Sequence, residues 1–377
     1  MHFDDLHSLV FLLSAQRTEN TQIISKMKNI DYLAVVRLAN SEFLTSALYY
    51  EMKKQKLFNI IEDEKLYAFL HELFILNTSR NEQILHQLKE IVSIFHSAGI
   101  ELLLLKGIAS LVEKEYEHIG IRYLSDIDLM VHPEDVEKAH ALLIDAGYRK
   151  VELPYRIHPS HHHLWPLEKE GMPAMLELHR RAVKETAMAE TLSFSTATAY
   201  KTNSNDFPNT WVFEPTYRLY HAFLHTEVDD SNYNLKILDL RHLYDFTFLA
   251  KKYAYQIDWN KLARLIETLG LTDSFQSYLY MAKKLFQLTT PLTVDSAKVR
   301  EDYKKRLKSF ELRGTVRGNF YPLFPRLQKM YSRKKMRTTY QYNNDLLYLP
   351  YLLKHIVLQM KTYLFCRGCL KSIISRW

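Results

Sequence analysis

The sequence predicts an α+β fold in which a small α/β core with a mixed sheet is flanked by N-terminal and C-terminal helical regions. Two observations favour this class. The 377 residues include only 9 Gly and 11 Pro, and the long stretches between them carry apolar residues at three- and four-residue spacing, as helices do. In the middle of the chain the period changes, and short runs alternate apolar and polar residues, as strands do.

These patterns divide the chain into four parts. Residues 1–97 are predicted to form an N-terminal helical region, and residues 98–205 the α/β core. Residues 206–300 form a second helical region, which we expect to complete the cleft of the core. Residues 301–377 form a C-terminal helical region rich in basic and aromatic residues.

The N-terminal region is predicted to be helical because two stretches show helical spacing, NIDYLAVVRLANSEFLTSALYYEMKKQ and EKLYAFLHELFILNTSRNEQILHQLKEIVSIFHSAG. Gly99 is predicted to close the second stretch, since glycine is the usual residue just past a helix. The same spacing returns beyond about residue 212 in EPTYRLYHAFLHTEV and NLKILDLRHLYDFTFLAKKY.

The core begins with IELLLLKG, an apolar run that ends in Lys106 and Gly107, followed by a predicted helix, IASLVEKEYEHIG. The strand IRYLSDIDLMV and the helix HPEDVEKAHALLIDAGY come next. Two further runs, HHHLWPL and AMLELH, are separated by the turn-forming stretch EKEGMP and predict a β-hairpin.

Three carboxylates lie on these strands. Asp126 and Asp128 are two residues apart, so a strand sends both to one face and the aliphatic residues beside them to the other. Like charges one pleat apart repel each other, and the arrangement is costly unless a cation lies between them. Glu177, on the second strand of the hairpin, adds a third carboxylate.

Each of these residues suits the handling of a nucleoside triphosphate. Gly107 stands at a strand-to-helix turn, where the backbone can approach a phosphate chain and the helix start favours its charge. Lys106 adds a cation. The three carboxylates are hard oxygen ligands, able to hold two Mg²⁺ ions about 3.5–4 Å apart.

The order LLLLKG, then R-x-x-S-D-I-D-L, then LELH resembles the polymerase-β-type nucleotidyltransferase superfamily, and most closely the bacterial group of uncharacterised nucleotidyltransferases. FLHTEV and LKILDLRHLYDF also resemble later segments of that group. The resemblance implies transfer of NMP from an NTP, ATP among the candidates, to a hydroxyl of a small molecule, a protein or RNA. It implies Mg²⁺ or Mn²⁺ as cofactor.

By this resemblance Asp126 and Asp128 would bind both metal ions, while Glu177 would bind one and help to accept the proton of the attacking hydroxyl. Lys106 and Gly107 stand where the superfamily has its Gly-Ser phosphate turn.

The chain departs from the pattern in two places. The usual serine is Ile108, so contact with the triphosphate would use backbone groups, Lys106 or Ser110 one turn later. An aromatic residue is replaced by Arg180. Basic residues outside the turn are further candidates for the triphosphate, with ordinary helix-surface ion pairs as the alternative: Arg122, Lys236 and Arg241.

Other functions stay open. KGIAS and RYLSDID also resemble the AbiEii and MenT-type toxins, nucleotidyltransferases linked to tRNA ends or GTP, which would make the protein a tRNA-directed toxin. A catalytically inactive nucleotide-binding protein would keep the fold without the chemistry. A sugar-nucleotide glycosyltransferase also uses a DxD motif, but its acids would follow a nucleotide-binding βαβ half.

The histidine-rich stretch at residues 158–163 has two interpretations, a transition-metal or nucleotide site and a structural part of the hairpin. Neighbouring strand residues point to opposite faces, so we expect that not all of these histidines share one ion. His163 is expected to face Glu177.

The charge is uneven along the chain. Residues 301–377 hold 17 Lys and Arg against 4 Asp and Glu, although the whole chain has a net charge of only +7. Such a segment suits a nucleic acid or an anionic membrane, or it is an ordinary solvated surface. The chain has only two cysteines, it begins with acidic residues, and it has no apolar run of about 18 residues. These features predict a cytoplasmic protein without a transmembrane segment.

Overall fold

The computed structural model describes residues 3–14, 27–152, 161–194, 199–201, 206–313 and 347–354, together with residues 333, 337 and 344. Most of the basic C-terminal segment lies outside the described residues, as do Cys366 and Cys369 and the first histidine of the histidine-rich stretch, His158. Binding of nucleic acid or membrane by that segment therefore stays a prediction. Among the helices described, none combines the length and apolar character needed to cross a bilayer.

The helices that lie wholly within the described residues precede the sheet, alternate with its strands or follow it. The α-helices are α1 (Phe3–Ser14), α2 (Tyr32–Ser41), α3 (Thr45–Lys54), α4 (Phe58–Ile61), α5 (Glu64–Ser97), α6 (Lys106–Val112), α7 (Val136–Asp145), α8 (Thr186–Ala189), α9 (Pro215–Phe223), α10 (Asn232–Leu235), α11 (Leu240–Lys252), α12 (Trp259–Thr268), α13 (Thr272–Phe286) and α14 (Ala297–Glu311). A π-helical turn, Leu224–Asp229, continues α9.

The long helix α5 shows how local sequence sets the ends of an element. Asp63 precedes it, and its carboxylate accepts a hydrogen bond from the Leu66 N–H at 3.0 Å, which satisfies one of the unpaired donors of the first turn. Gly99 follows the helix at φ 72°, a conformation that glycine adopts without strain. The predicted closure of this helix at Gly99 is confirmed.

In the part of the chain that the structure describes, seven strands form one mixed sheet, which confirms the predicted α+β class. They are β1 (Leu102–Leu104), β2 (Asp126–Met130), β3 (Arg149–Lys150), β4 (Leu167–Glu168), β5 (Met175–His179), β6 (Ala199–Lys201) and β7 (Thr210–Phe213). The order across the sheet is β3-β4-β5-β2-β1-β7-β6. The central strand β2 pairs antiparallel with β1 and parallel with β5, while β1 pairs parallel with β7.

The predicted β-hairpin is present, but its first strand is shorter than the sequence indicated. β4 covers only Leu167–Glu168 and pairs antiparallel with β5 through Leu167 and Leu176. His161 and His162 are not in a regular strand, and His163 forms a single bridge with His179. Residues 161–163 therefore need not alternate between two faces of the sheet.

Two apolar clusters hold the described part of the chain together. One joins the sheet to α5, α6 and α7, with Ile91, Leu102, Ile127 and Leu176 among its buried members. The other joins the N-terminal helices to those after β7, with Leu48, Tyr220, Leu243 and Leu279 among its buried members. The first and second predicted helical regions thus share one core rather than forming separate ones.

Candidate functional site

A cavity of about 470 Å³ lies between the sheet and the helices that follow it. Its walls come from the ends of β1, β2 and β5, from residues 161–163, and from α9, the π-helical turn and α11. The polar side chains in these walls include Lys106, Ser110, Glu115, Arg122, Asp126, Asp128, His161, His162, His163, Glu177, Lys184, Arg218, His225, Arg241, His242 and Asp245.

The sheet brings the three carboxylates together at the wall of this cavity. β2 and β5 run parallel, and their register places Asp128 directly beside Glu177. Asp126 lies two residues before Asp128 on the same strand, so it projects from the same face.

Asp128 is the most deeply buried member of the group. Its side chain is 3% exposed, and its Oδ1 accepts hydrogen bonds from Lys106 Nζ at 2.7 Å and from His179 Nε2 at 2.9 Å. Burial favours the protonated carboxyl, but Lys106 and His179 outweigh it and hold the pKa of Asp128 well below its usual range. The side chain is therefore a carboxylate at neutral pH.

Repulsion among the carboxylates is visible at Asp126. Burial, followed by the neighbouring charge of Asp128, raises the pKa of Asp126, although Ser125 Oγ donates a hydrogen bond to it at 3.1 Å. One ammonium and one imidazole accompany three carboxylates. Carboxylates that raise each other's pKa in this way favour a divalent cation between them.

The donor atoms for such a cation are close together. Asp128, Glu177 and His179 each offer one ligand atom, and the three atoms lie within 4.8 Å of one another. Asp126 stands beside this group at the same wall. Carboxylate oxygens suit Mg²⁺, and a mixed set with one imidazole also suits Mn²⁺. His179 was not among the expected ligands, although its place two residues after Glu177 on a strand put it on the same face.

The turn between β1 and α6 is built differently from the expectation. Lys106, not Gly107, takes the left-handed conformation, with φ 48°. A Cβ atom at Gly107 would lie 1.6 Å from Nη1 of Arg122, so the missing side chain makes room for that guanidinium. Arg122 in turn contacts Asp245 Oδ2 through Nε and Nη2, each at 2.9 Å. In this structure Gly107 packs against a side chain of the cavity wall.

We expect Gly107→Ala to destabilise the protein by about 1–3 kcal/mol, as overpacking of a filled site does, because the added methyl group displaces Arg122. Thermal unfolding measures the effect. Because the clash is with Arg122, the same substitution should cost much less in an Arg122→Ala background. An equal cost in both backgrounds would contradict this explanation.

Two further candidates for contact with phosphate, Arg241 and Ser110, line the cavity. Arg241 lines the cavity, donates from Nη2 to the carbonyl of Tyr123 at 2.9 Å and lies over the ring of Phe43. Ser110 also lines it and accepts a hydrogen bond from Arg218 Nη2 at 3.2 Å.

Lys236 is placed differently from the other basic candidates. Its ammonium pairs with Asp302 and lies 4.0 Å from the centre of the Tyr233 ring, and Lys236 is not among the residues that line the cavity. The expected contact between Lys236 and a triphosphate therefore has no support in this geometry.

Histidines 161–163 also line the cavity. The expectation that His163 faces Glu177 is confirmed by a distance of 3.8 Å between Nε2 and Oε2. The expectation that neighbouring histidines diverge is wrong, because the segment bends: ligand atoms of all three residues at positions 161–163 lie within 4.8 Å of one another. Burial lowers the pKa of His161 to about 4, so its imidazole is neutral at pH 7.

Several cavity residues were missed from the sequence. Arg218 is buried and pairs with Glu115, and Tyr116 donates to Asp245 Oδ1 at 2.5 Å. Asp245 follows Arg241 by four residues, the spacing at which helical side chains are neighbours, so the segment RHLYD contained a weak signal. The Arg218–Glu115 pair joins residues 103 positions apart and had no local signal.

Comparison with known proteins identifies a family for this chain. A family model described as "Uncharacterised nucleotidyltransferase" matches residues 28–287. No curated protein and no solved structure matches the chain. The matched segment includes the cavity walls listed above.

Proposed function

The chain belongs to the family of uncharacterised nucleotidyltransferases, and from this premise we propose that it transfers a nucleoside monophosphate from an NTP to a hydroxyl group in the cavity described above. The hydroxyl oxygen bonds to the α-phosphorus, the bond between the α- and β-phosphates breaks, and pyrophosphate leaves. The observation that carries the proposal is the meeting of three carboxylates with several cations in one cavity: Asp126, Asp128 and Glu177 on one side, and Lys106, Arg122 and Arg241 beside them. The carboxylates suit metal ions, and the cationic side chains suit phosphate groups.

We assign the metal ions, Mg²⁺ or Mn²⁺, to the carboxylates. Both Lys106 and His179 contact Oδ1 of Asp128, so Oδ2 is the oxygen we assign to a metal ion. Asp126 and Glu177 complete the ligand set. When bound, a divalent ion supplies charge neutralisation at the α-phosphate and makes a hydroxyl more acidic.

Protein groups supply the remaining tasks. Glu177 is one-fifth exposed and faces the cavity, so it can accept the proton of an attacking hydroxyl. Arg122 and Arg241 are held by hydrogen bonds and are therefore oriented before a triphosphate enters. Ser110, one turn after Lys106, is the hydroxyl we assign to the phosphate chain.

The test uses the full chain with each of the four α-³²P-labelled NTPs, Mg²⁺ or Mn²⁺, and total RNA, lysate protein or a small-molecule extract. We expect the label to move from one NTP to one class of acceptor. Label on RNA identifies an RNA-directed enzyme, and label on protein identifies protein nucleotidylation. If no acceptor is labelled and no NTP raises the unfolding temperature, the proposed function is wrong.

Glu177→Gln should lower the rate of labelling by about 10²-fold, the low end of what general-base catalysis contributes. The substitution keeps the size of the side chain and removes the proton acceptor. Initial rates at saturating NTP measure the effect. Glu134→Gln, at an exposed position before α7, serves as the control and should keep the rate of the unmodified protein. A rate for Glu177→Gln equal to that of the control would remove Glu177 from the chemistry.

A further inference from the structure

The histidines at residues 161–163 hold a second arrangement of donor atoms, distinct from the carboxylates. The ring centroids of the three side chains are 4.3, 4.3 and 4.6 Å apart. Each residue offers a ring nitrogen, and these three atoms lie within 4.8 Å of one another. A regular strand would have sent the middle ring to the opposite side, so the bend before β4 is what creates the cluster.

One ring already has the orientation of a metal ligand. His163 Nδ1 lies 2.6 Å from the carbonyl oxygen of Leu164. A carbonyl oxygen only accepts, so Nδ1 carries the proton and Nε2 keeps its lone pair. Metal-binding histidines usually donate their second nitrogen to a carbonyl or carboxylate in this way.

The other two rings have ring nitrogens without a protein contact. Nδ1 of His161 and Nδ1 of His162 are both buried, and neither has a hydrogen-bond partner within the described residues. A buried polar atom left unpaired costs about 1–3 kcal/mol. A ligand that accepts electron pairs from these nitrogens would remove that cost.

We propose that His161, His162 and His163 bind a transition-metal dication of the zinc class. Three imidazoles with an open fourth position form a ligand set typical of Zn²⁺, and they disfavour Mg²⁺, which prefers oxygen. Glu177 Oε2, 3.8 Å from His163 Nε2, lies close enough to approach the open position. The cavity would then hold a nitrogen-ligated ion beside the carboxylate site, and this inference does not depend on nucleotidyl transfer.

The test is metal binding by the full chain, measured in excess Mg²⁺ so that the carboxylates are saturated with the harder ion. Equilibrium dialysis with metal analysis should find one Zn²⁺ per chain. Co²⁺ in place of Zn²⁺ should give the intense visible absorption of a tetrahedral site rather than the weak bands of an octahedral one. This spectrum needs no variant. Weak octahedral bands, or no bound Zn²⁺, would overturn the proposal.

Variants assign the site. His161→Ala with His162→Ala should weaken Zn²⁺ binding by at least about 100-fold, since losing only an outer-shell partner costs 10–100-fold. The milder His161→Gln, at a half-buried position, should weaken it in the same direction if the double variant does not fold. His86→Ala with His96→Ala, both exposed on α5, should bind like the unmodified protein.

Asp128→Asn separates the two metal positions. It should leave Zn²⁺ binding and the Co²⁺ spectrum in place, whether or not nucleotidyl transfer is observed. Loss of Zn²⁺ binding in this variant together with retention in the histidine variants would place the ion among Asp128, Glu177 and His179 and contradict the proposal.

Discussion

Replacing Asp128 with Asn should lower the rate of nucleotidyl transfer by about 10³-fold or more, while the protein still folds. A metal ligand supports several kcal/mol of transition-state stabilisation, and each 1.4 kcal/mol corresponds to a tenfold change in rate. Asparagine keeps an oxygen for Lys106 and His179 but loses the charge. Initial rates with saturating NTP measure the effect, and Asp145→Asn, exposed at the end of α7, is the matched control.

Asp128→Ala should behave differently from Asp128→Asn in stability. From the sequence alone, the removed charge is a liability and the alanine variant would be expected to unfold at a higher temperature. The structure reverses this expectation, because Ala leaves the buried groups of Lys106 and His179 without their acceptor. Breaking a buried pair in this way costs about 3–5 kcal/mol.

A transfer rate for the Asn variant within tenfold of the control would remove Asp128 from the site.

Arg306→Met should cost about 3–5 kcal/mol of folding stability, although Arg306 lies far along the chain from Asp126, Asp128 and Glu177. The side chain of Arg306 is fully buried. Its Nη2 and Nη1 donate to the two oxygens of Glu227 at 2.5 and 3.1 Å, and its Nε donates to Asp302 at 2.9 Å. Methionine fills the space but leaves Glu227 buried without the cation that pairs with it, while Asp302 keeps its ion pair with Lys236.

The loss of folding stability caused by Arg306→Met should depend on pH. Burial raises the pKa of Glu227 even with Arg306 opposing it, and without that cation the pKa rises further. The folded variant then binds more protons than the unfolded chain, so its stability falls as pH increases above the unfolded pKa of Glu, about 4.3.

Chemical denaturation at pH 5 and pH 8 tests this dependence and should find the larger deficit at pH 8. Arg300→Met, exposed on the same helix, is the matched control and should change stability by less than about 0.5 kcal/mol. A pH-independent deficit would contradict the assignment to Glu227.

The parts of the fold that could be predicted are those encoded by neighbouring residues. Alternation placed Asp126 and Asp128 on one face, and the parallel pairing of two short strands then brought Glu177 beside them. The closing glycine of α5 and the β4–β5 hairpin were predicted for the same reason, since a turn or a cap is read from a few adjacent residues.

What could not be predicted depends on contacts between distant residues. Lys236 was predicted to contact the triphosphate or to form a helix-surface ion pair, and its partner in the structure is Asp302, 66 residues later. Gly107 appeared to serve a phosphate, but its missing side chain accommodates Arg122 from another segment. The histidines were assigned to a strand because a bend has no periodic signal, and only the bend brings their rings together.

The core shared by the N-terminal helices and the helices after β7 has a consequence for biosynthesis. Glu42 accepts hydrogen bonds from the Leu240 N–H and from Arg313, which is 271 residues later. At roughly 5–20 residues per second, the ribosome needs on the order of 15–50 s to make the chain between Glu42 and Arg313. During that time the apolar faces of α2 and α3 await their final partners, so nascent chains shorter than about 313 residues should be the form most dependent on chaperones.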